Sequence, residues 1–296
     1  MGLPMNSHLL DGRLVSDSLL KEVSHEVQKL AKKSIKPKLV IILVGENPAS
    51  LSYIRQKRLA AERTGIQEEL ERLSSKTTTQ KLITLIEKFN KDKMVHGILV
   101  QLPLPPHMDA PLVIRAIDPM KDVDGFGAYN LGKMFLATEF ENLAPCTPRG
   151  IIRMLEYYKI SAAGKYAVIV GRSNIVGKPL AVMLINRDAT VTICNSKTKN
   201  LADFTKRADI LVAAVGKPKM ITANMVKKGV IVIDVGVTKV ENRLVGDVDF
   251  ENVKRKASWL TPVPGGVGPM TVACLMENVV RAAKRISDFR PSSSRG

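Results

Sequence analysis

The stretch Tyr166-Ala-Val-Ile-Val-Gly171-Arg-Ser-Asn-Ile-Val-Gly177-Lys-Pro179 decides the fold class. Its first five residues carry no charge and do not alternate with polar ones, so they read as a strand covered on both faces. A glycine-bearing turn and the start of a helix follow. The free N–H groups and partial positive charge at a helix N-terminus suit a pyrophosphate. Gly171 lets the chain turn sharply, and Gly177 lets the helix pack close to the sheet. The spacing is not G-x-G-x-x-G, so this turn alone is weak evidence for a nucleotide site. Its surroundings strengthen it.

Downstream, strands are expected at 190–194, 210–215 and 230–235, with helices at 178–186 and near 201–207 and 223–228. A Gly- and Pro-rich segment, 259–270, precedes a last helix at 271–287. Upstream, helices at 14–33, 48–64, 78–90, 110–117 and 147–158 accompany strands at 39–44 and 97–102. Strands alternating with helices imply parallel pairing with helical crossovers. The parse is two α/β domains flanking a cleft and joined near residue 148, the second a Rossmann-like doubly wound parallel sheet. Residues 1–8 and 291–296 have the composition of frayed ends.

At 296 residues, with 45% hydrophobic and 25% charged residues, the chain has the make-up of a folded protein with one large or two modest domains. Its apolar runs fall short of the ~20 residues of a membrane helix. No secretory signal pattern is present, which fits the cytoplasm, or an organelle after loss of a transit peptide. The net charge of +17 favours anionic partners. With aromatics at only 4%, there is little stacking surface for single strands, so a basic surface attracting an anionic substrate is expected and nucleic acid is not. Cys146, Cys194 and Cys274 are scattered and form no C-x-x-C pair. His8, His25, His96 and His107 lack ligand spacing, so neither a disulfide framework nor a metal site is expected. A catalytic Cys–His pair would need Cys146 to meet His96 or His107; buried structural thiols are the simpler reading. Asp122-x-Asp124-Gly125 begins like a calcium loop but lacks the remaining ligands.

The strand at 190–194 runs into Cys194-Asn-Ser196-Lys197-Thr. An NAD site places a carboxylate near this strand end to grip the ribose 2′-hydroxyl. Here Arg172, Ser196 and Lys197 offer donors and positive charge instead, which suits a 2′-phosphate and hence NADP. In the first half, Ser50, Tyr53 and Lys57 are spaced to share one helix face, with the small Ala60 and Ala61 beyond. Gln101 is a polar residue ending a buried strand, at the edge where α/β proteins bind ligands. Lys121-Asp-Val-Asp124-Gly125 sets two carboxylates in a tight turn.

Together these pieces resemble the bifunctional methylenetetrahydrofolate dehydrogenase/methenyltetrahydrofolate cyclohydrolase family. The matching motifs are Tyr53-x-x-x-Lys57 with Ala60-Ala61 and Gly65-Ile66, Gln101-Leu-Pro-Leu-Pro105, Lys121-Asp-Val-Asp-Gly125, Pro145-Cys-Thr-Pro148, Gly171-Arg172-Ser173-x-x-Val176-Gly177, and Thr261-Pro-Val-Pro264-Gly265-Gly266-Val-Gly-Pro-Met-Thr271. They run in family order over residues 8–285. Asn195 departs from the pattern, since many members carry His there.

The resemblance implies that the last helix returns to the first domain, giving a folate-binding catalytic domain of 1–148 plus 271–296 and a dinucleotide domain of 149–270. It implies oxidation of 5,10-methylenetetrahydrofolate to 5,10-methenyltetrahydrofolate with NADP⁺, then hydrolysis to 10-formyltetrahydrofolate. Catalytic roles fall to Lys57, Gln101, Tyr53 and Asp124. Lys57 is the proton carrier of the hydrolytic step, which requires its site to lower an ordinary pKa of ~10.4. Gln101 holds Lys57 and its water, Tyr53 stacks on the folate ring system, and Asp124 pairs with the amino-pyrimidine edge of the pterin. Ser50, Pro264, Gly265 and Gly266 complete the substrate site. Gly171, Arg172, Ser173, Ile175, Val176, Gly177, Ser196 and Lys197 hold NADP. The implied partners are tetrahydrofolate derivatives, polyglutamylated ones included, and a second copy in a homodimer through the nucleotide domain. The apolar runs 230–235 and 210–215 are a local reason for that dimer, though core burial explains most of them. Other readings are a member with a failed cyclohydrolase, an NAD-preferring member, a non-catalytic folate or nucleotide module and a basic RNA-binding protein. Lys57 with Gln101 argues against the first, and Arg172 with Ser196 against the second.

Overall fold

The structure, a computed structural model, describes residues 8–241 and 243–288. The ends expected to fray, 1–7 and 291–296, lie outside them. The chain divides into two compact units. The first comprises Asp17–Lys133, Glu139–Cys146 and the residues from Val272 on; the second comprises the residues up to Ser16, Met134–Thr138 and Thr147–Thr271.

A short strand, β1 (His8–Leu9), and a long helix, α1 (Gly12–Ala31), open the described chain. In the first unit β2 (Lys38–Val44) leads to α2 (Pro48–Thr64), β3 (Gln67–Leu73), α3 (Thr79–Lys91), β4 (Gly97–Val100), α4 (Ala110–Arg115) and α5 (Ala128–Met134). The three strands form a parallel sheet in the order β3-β2-β4. After Lys38, strand β2 is apolar because it lies in the middle, with residues 39–44 all buried. Its Val40, Ile42 and Val44 pack with Leu82, Ile86 and Phe89 of α3 and with Ile98 and Val100 of β4. Thr78 caps α3 by accepting the Lys81 N–H. Strand β3 was not expected from the sequence. Gln67-Glu-Glu-Leu-Glu-Arg-Leu looks like a solvated charge run, and as an edge strand it needs those charges to discourage pairing with other chains. Strand β4 ends two residues before its expected limit, and α5 lies where no helix is expected.

Helix α6 (Cys146–Tyr157) leads into the second unit, where β5 (Tyr166–Val170), α7 (Gly177–Ile185), β6 (Thr190–Cys194), α8 (Leu201–Thr205), β7 (Ile210–Ala213) and β8 (Ile231–Asp234) follow in turn. A hairpin of β9 (Thr238–Val240) and β10 (Arg243–Val245), helix α9 (Phe250–Val253), strand β11 (Trp259–Leu260) and helix α10 (Val267–Asp288) complete the described chain. The main sheet is parallel, in the order β1-β11-β8-β7-β5-β6. From β5 the chain builds outward through β6, then returns to lay β7 on the other side. That reversal is the topological switch point at which doubly wound sheets bind ligands.

Several expectations change. The helix near 223–228 is only a 3₁₀ turn, Ala223–Met225, too short to sustain the α-helical ladder. The last helix starts at Val267, inside the Gly- and Pro-rich segment. Pro269 falls in its first turn, where a missing N–H breaks no helical bond. His8 is not frayed: β1 pairs with β11, and its ring lies 4.8 Å from that of Trp259. The apolar runs offered for the homodimer are buried strands β7 and β8 in the sheet interior, so core packing accounts for them. No helix among the described residues is long and apolar enough to cross a membrane.

Candidate active site

In the first unit, helix α2 carries Ser50, Tyr53 and Lys57. Lys57 is buried, and its Nζ donates to Oε1 of Gln101 at 2.9 Å. Gln101 is fixed from both ends: its backbone N–H donates to the Ile42 carbonyl (2.9 Å) and its Nε2 to the Leu102 carbonyl (2.7 Å). Tyr53 exposes 45% of its surface, so its ring is open to a partner. Ser50 is buried, and its Oγ has no hydrogen-bond partner.

Each residue of Lys121-Asp-Val-Asp-Gly125 has its own task. Lys121 is buried and caps the end of α3, its Nζ donating to the carbonyls of Phe89 (2.9 Å), Asn90 (2.8 Å) and Asp92 (2.7 Å). Burial lowers its ammonium pKa, against the pull of Asp118 and Asp92. Asp122 makes the turn. Its Oδ1 accepts from the N–H groups of Gly125 (3.0 Å) and Phe126 (3.4 Å), and its Oδ2 from Gly127 N–H (2.8 Å) and Asn130 Nδ2 (3.0 Å). Val123 is core. Gly125 has φ +72°, and a methyl group there would lie 2.5 Å from the Leu143 carbonyl oxygen. Asp124 is thereby left free of the turn. Burial raises its carboxyl pKa, while the charge of Lys57 and a hydrogen bond with Cys146 oppose that rise. The structure therefore gathers Lys57, Gln101 and Asp124.

Two neighbours were missed by the sequence reading. Asn278 of α10 is fully buried, and its Nδ2 donates to the carbonyls of Val123 (2.8 Å) and Ala144 (3.0 Å), tying down the chain on either side of Asp124 and Cys146. A polar residue in the apolar run of a helix was the available signal. Cys146 was read only as a buried thiol. It donates to the Val123 carbonyl at 3.4 Å, and burial, with Asp124 adding to it, raises its pKa so that it stays protonated. His96 instead accepts the Lys38 N–H (3.2 Å), and His107 bonds the Thr77 carbonyl (2.9 Å). Neither is paired with Cys146.

In the second unit, the turn after β5 is closed on itself. Gly171 has φ +129°, and a methyl group there would overlap the Ala214 carbonyl; one at Gly177 would overlap the Gly171 carbonyl. The expected free N–H groups of α7 are in fact occupied. Ser173 Oγ accepts from Val176 (3.1 Å) and Gly177 (3.4 Å), the Ser173 carbonyl accepts from Lys178 (3.1 Å), and Pro179 has no N–H. Positive side chains remain. Val170 and Cys194 are register partners, and Gly171 N–H donates to the Cys194 carbonyl at 2.9 Å. Arg172 therefore stands at the strand end next to that of Ser196 and Lys197, all three exposed, with Ile175 exposed in the same turn. No Asp or Glu occurs in 171–178 or 194–199. This donor set fits a 2′-phosphate. Asn195 serves a local turn, its Oδ1 accepting the Lys197 N–H at 3.0 Å. Pro264, Gly265 and Gly266 form a separate loop before α10, in which the Gly265 carbonyl accepts the N–H groups of Gly12 (2.9 Å) and Arg13 (3.2 Å). Among the described residues, no three His, Cys, Asp or Glu side chains are arranged to hold a metal ion.

Comparison with known proteins is consistent along the chain. Residues 10–124 match the catalytic domain of tetrahydrofolate dehydrogenase/cyclohydrolase, and residues 145–287 match its NAD(P)-binding domain. The bifunctional protein FolD of Moorella thermoacetica is 52% identical over 282 residues, covering 95% of this chain and 100% of that one. The crystal structure of the FolD methylenetetrahydrofolate dehydrogenase/cyclohydrolase of Campylobacter jejuni superposes with a TM-score of 0.93 at 47% identity, covering 94% of this chain and 99% of the other. The FolD enzyme of Trypanosoma brucei, solved with NADP and an inhibitor, gives 0.91 at 36% identity, covering 96% and 99%. With both of its domains matched, in order and at this level of identity, the chain belongs to the tetrahydrofolate dehydrogenase/cyclohydrolase family.

Proposed function

We propose that this protein oxidises 5,10-methylenetetrahydrofolate to 5,10-methenyltetrahydrofolate with NADP⁺ and hydrolyses the product to 10-formyltetrahydrofolate, as part of one-carbon metabolism. The observation that carries this reading is the buried Lys57–Gln101 pair, 2.9 Å apart beside Asp124, in a chain 52% identical to a bifunctional relative. The chemistry that NADP⁺ would supply when bound is that of a hydride acceptor for the substrate's methylene carbon. The protein's part in that step is alignment of the two rings.

Hydrolysis adds water to the methenyl carbon, releases a ring nitrogen and yields one proton. Lys57 carries protons in this step, and Gln101 holds the Nζ in place. Asp124 accepts hydrogen bonds from the amino-pyrimidine edge of the pterin, Tyr53 stacks on the ring system, and the hydroxyl of Ser50 adds a polar contact. Pro264, Gly265 and Gly266 let backbone approach the substrate closely. The first unit is the folate-binding domain and the second the dinucleotide domain. Gly171, Ser173, Ile175, Val176 and Gly177 shape the cofactor turn, while Arg172, Ser196 and Lys197 hold the 2′-phosphate.

The substrates include polyglutamylated folates, whose negative charge suits a protein of net charge +17. The protein works as a cytoplasmic homodimer through the second unit and without nucleic acid. The exposed Ile185 and Ile193, beside and on the edge strand β6, support that contact. An absorbance assay with methylenetetrahydrofolate tests the function, with NADP⁺ and NAD⁺ in parallel. Rapid NADPH formation followed by loss of the methenyl band is expected. Absence of turnover with either cofactor refutes the reading, and equal turnover with both refutes the cofactor assignment.

A further inference from the structure

Two buried carboxylates of the second unit lie outside every residue assigned above. Asp247 is fully buried. Its Oδ2 accepts the N–H groups of Val215 (2.6 Å) and Gly216 (3.0 Å), and its Oδ1 that of Lys217 (2.7 Å). Three successive amides converging on one point make a concavity that suits an anion, and here the protein fills it with its own side chain. That side chain is held in turn. The N–H groups of Asp247 and Val248 donate to the two carboxylate oxygens of Asp234, each at 2.9 Å, and the Asp234 N–H donates to Thr261 Oγ1 at 2.7 Å. The glycines pack tightly on the pair: a methyl group at 236 would overlap the Asp247 carboxylate, and one at 246 that of Asp234. Burial raises the Asp234 carboxyl pKa to about 7. Two adjacent buried carboxylates are costly, and hydrophobic packing alone would hold a sheet together more cheaply.

What the pair fixes is the chain leaving β7. Strand β7 lies across the switch point from β6, on the other side of β5. The Ala214 N–H donates to the Val170 carbonyl at 2.8 Å, and the Ala214 carbonyl closes on Gly171. Residues 215–217 thus emerge beside the cofactor turn, at the carboxyl edge of the sheet.

We propose that Asp247 is a positioning residue for the dinucleotide: by occupying the N–H groups of Val215, Gly216 and Lys217 it fixes residues 215–217 as the β7-side wall of the cofactor crevice. This rests on the NADP⁺ reading above. With its N–H groups used up, the wall presents carbonyl oxygens: that of Gly216 accepts from Thr238 Oγ1 and that of Lys217 from Met220 N–H, both at 3.3 Å, and each has a second lone pair to offer. It therefore suits hydroxyl and amide donors of the nucleotide, while the phosphates are left to the Arg172 side. Asp247 acts through the loop and does not touch the cofactor.

Asp247→Asn keeps shape and size, but its amide nitrogen cannot accept, so at least one of the three N–H groups loses its partner. The bifunctional chemistry supplies an internal reference, because hydrolysis of methenyltetrahydrofolate consumes no NADP⁺. Calorimetric NADP⁺ binding and steady-state rates of both activities are to be measured on the full chain. Wild-type binding reports on the NADP⁺ reading itself; the ratio of variant to wild type reports on Asp247. At least about a tenfold rise in Kd and KM for NADP⁺ is expected, with a smaller change in kcat and with hydrolysis within about twofold of wild type. Unchanged NADP⁺ affinity overturns the proposal. So does a parallel loss of NADP⁺ binding and hydrolysis, which would mark Asp247 as a general fold residue. Where Asp247→Asn does not fold, Gly216→Ala carries the same test. Its φ of +67° makes the loop resist the added side chain, and the methyl itself would meet nothing within 4 Å. The same selective NADP⁺ defect supports the proposal, and wild-type NADP⁺ affinity overturns it.

Discussion

Replacing Asp122 and Asp124 by Asn, one at a time, separates a turn from an anchor two residues apart. Asp122 accepts four hydrogen bonds, two on each carboxylate oxygen. Whichever oxygen becomes an amide nitrogen, two acceptances are lost and a donor faces donors. At ~1–3 kcal/mol for a buried group left unsatisfied, the loss is about 2–4 kcal/mol, partly offset because burial already disfavours the charged form. For a protein of this size that lowers the melting temperature by roughly 5–15 °C. Asp124 makes none of these turn bonds. Burial already raises its pKa, so a neutral Asn there costs folding little. Towards the pterin, however, the amide puts a donor where the ligand needs an acceptor. The mismatch is worth ~1–3 kcal/mol, or about tenfold to over a hundredfold in folate affinity. Scanning calorimetry and folate titration on both variants, with NADP⁺ binding as the control, read the two effects separately. If Asp124→Asn binds folate normally, or if it melts early while Asp122→Asn does not, the division of labour is wrong.

Lys57→Met removes the proton carrier at nearly constant length, and a stopped-flow assay of methenyltetrahydrofolate hydrolysis should show a loss of ~10²–10⁴-fold; a wild-type rate refutes the assignment. Arg172→Ala should raise the KM for NADP⁺ much more than that for NAD⁺, since only NADP⁺ carries the 2′-phosphate, and equal losses would point to a role in the turn. Asp234 holds its proton in the folded state up to about pH 7 but releases it near 3.8 when unfolded, so folding takes up a proton in that window. Its contribution to stability is complete below pH 4 and is lost as the pH rises towards 7. Melting temperatures measured from pH 5 to 8 should therefore fall less steeply in Asp234→Asn than in wild type, and parallel profiles would show that Asp234 is not the group responsible.

The sequence exposes those parts of the fold whose burial is symmetric. Strand β2 after Lys38 and strand β5 are apolar runs because both faces are covered, and they could be read directly. Strand β3 pairs just as regularly along its length, yet at a sheet edge it carries charges that mimic a loop. Lys57 and Gln101 are unremarkable singly, since a lysine on a helix is ordinarily a solvated charge; the order of motifs along the chain gave them meaning. The choice between Asp122 and Asp124 was legible only through resemblance. The two share one turn, and which of them faces inward depends on contacts with Asn130, Cys146 and the chain around Leu143. Asn278 could not be placed at all, because its partners lie far away in sequence.

Asn278 joins the last helix to the Val123 carbonyl across 155 residues of chain. A protein made from its N-terminus on a ribosome tends to fold domain by domain as it emerges. Here the unit that bears Lys57, Gln101 and Asp124 is discontinuous, and it recruits its final piece only after the whole second unit has been synthesised. Until α10 is available, the Val123 carbonyl has the Cys146 thiol but lacks the Asn278 amide, and the bed of Asp124 is incomplete. A nascent or truncated chain that stops before Asn278 therefore has every motif residue but lacks the tie that fixes the chain on either side of Asp124, so that part of the site is completed late in translation.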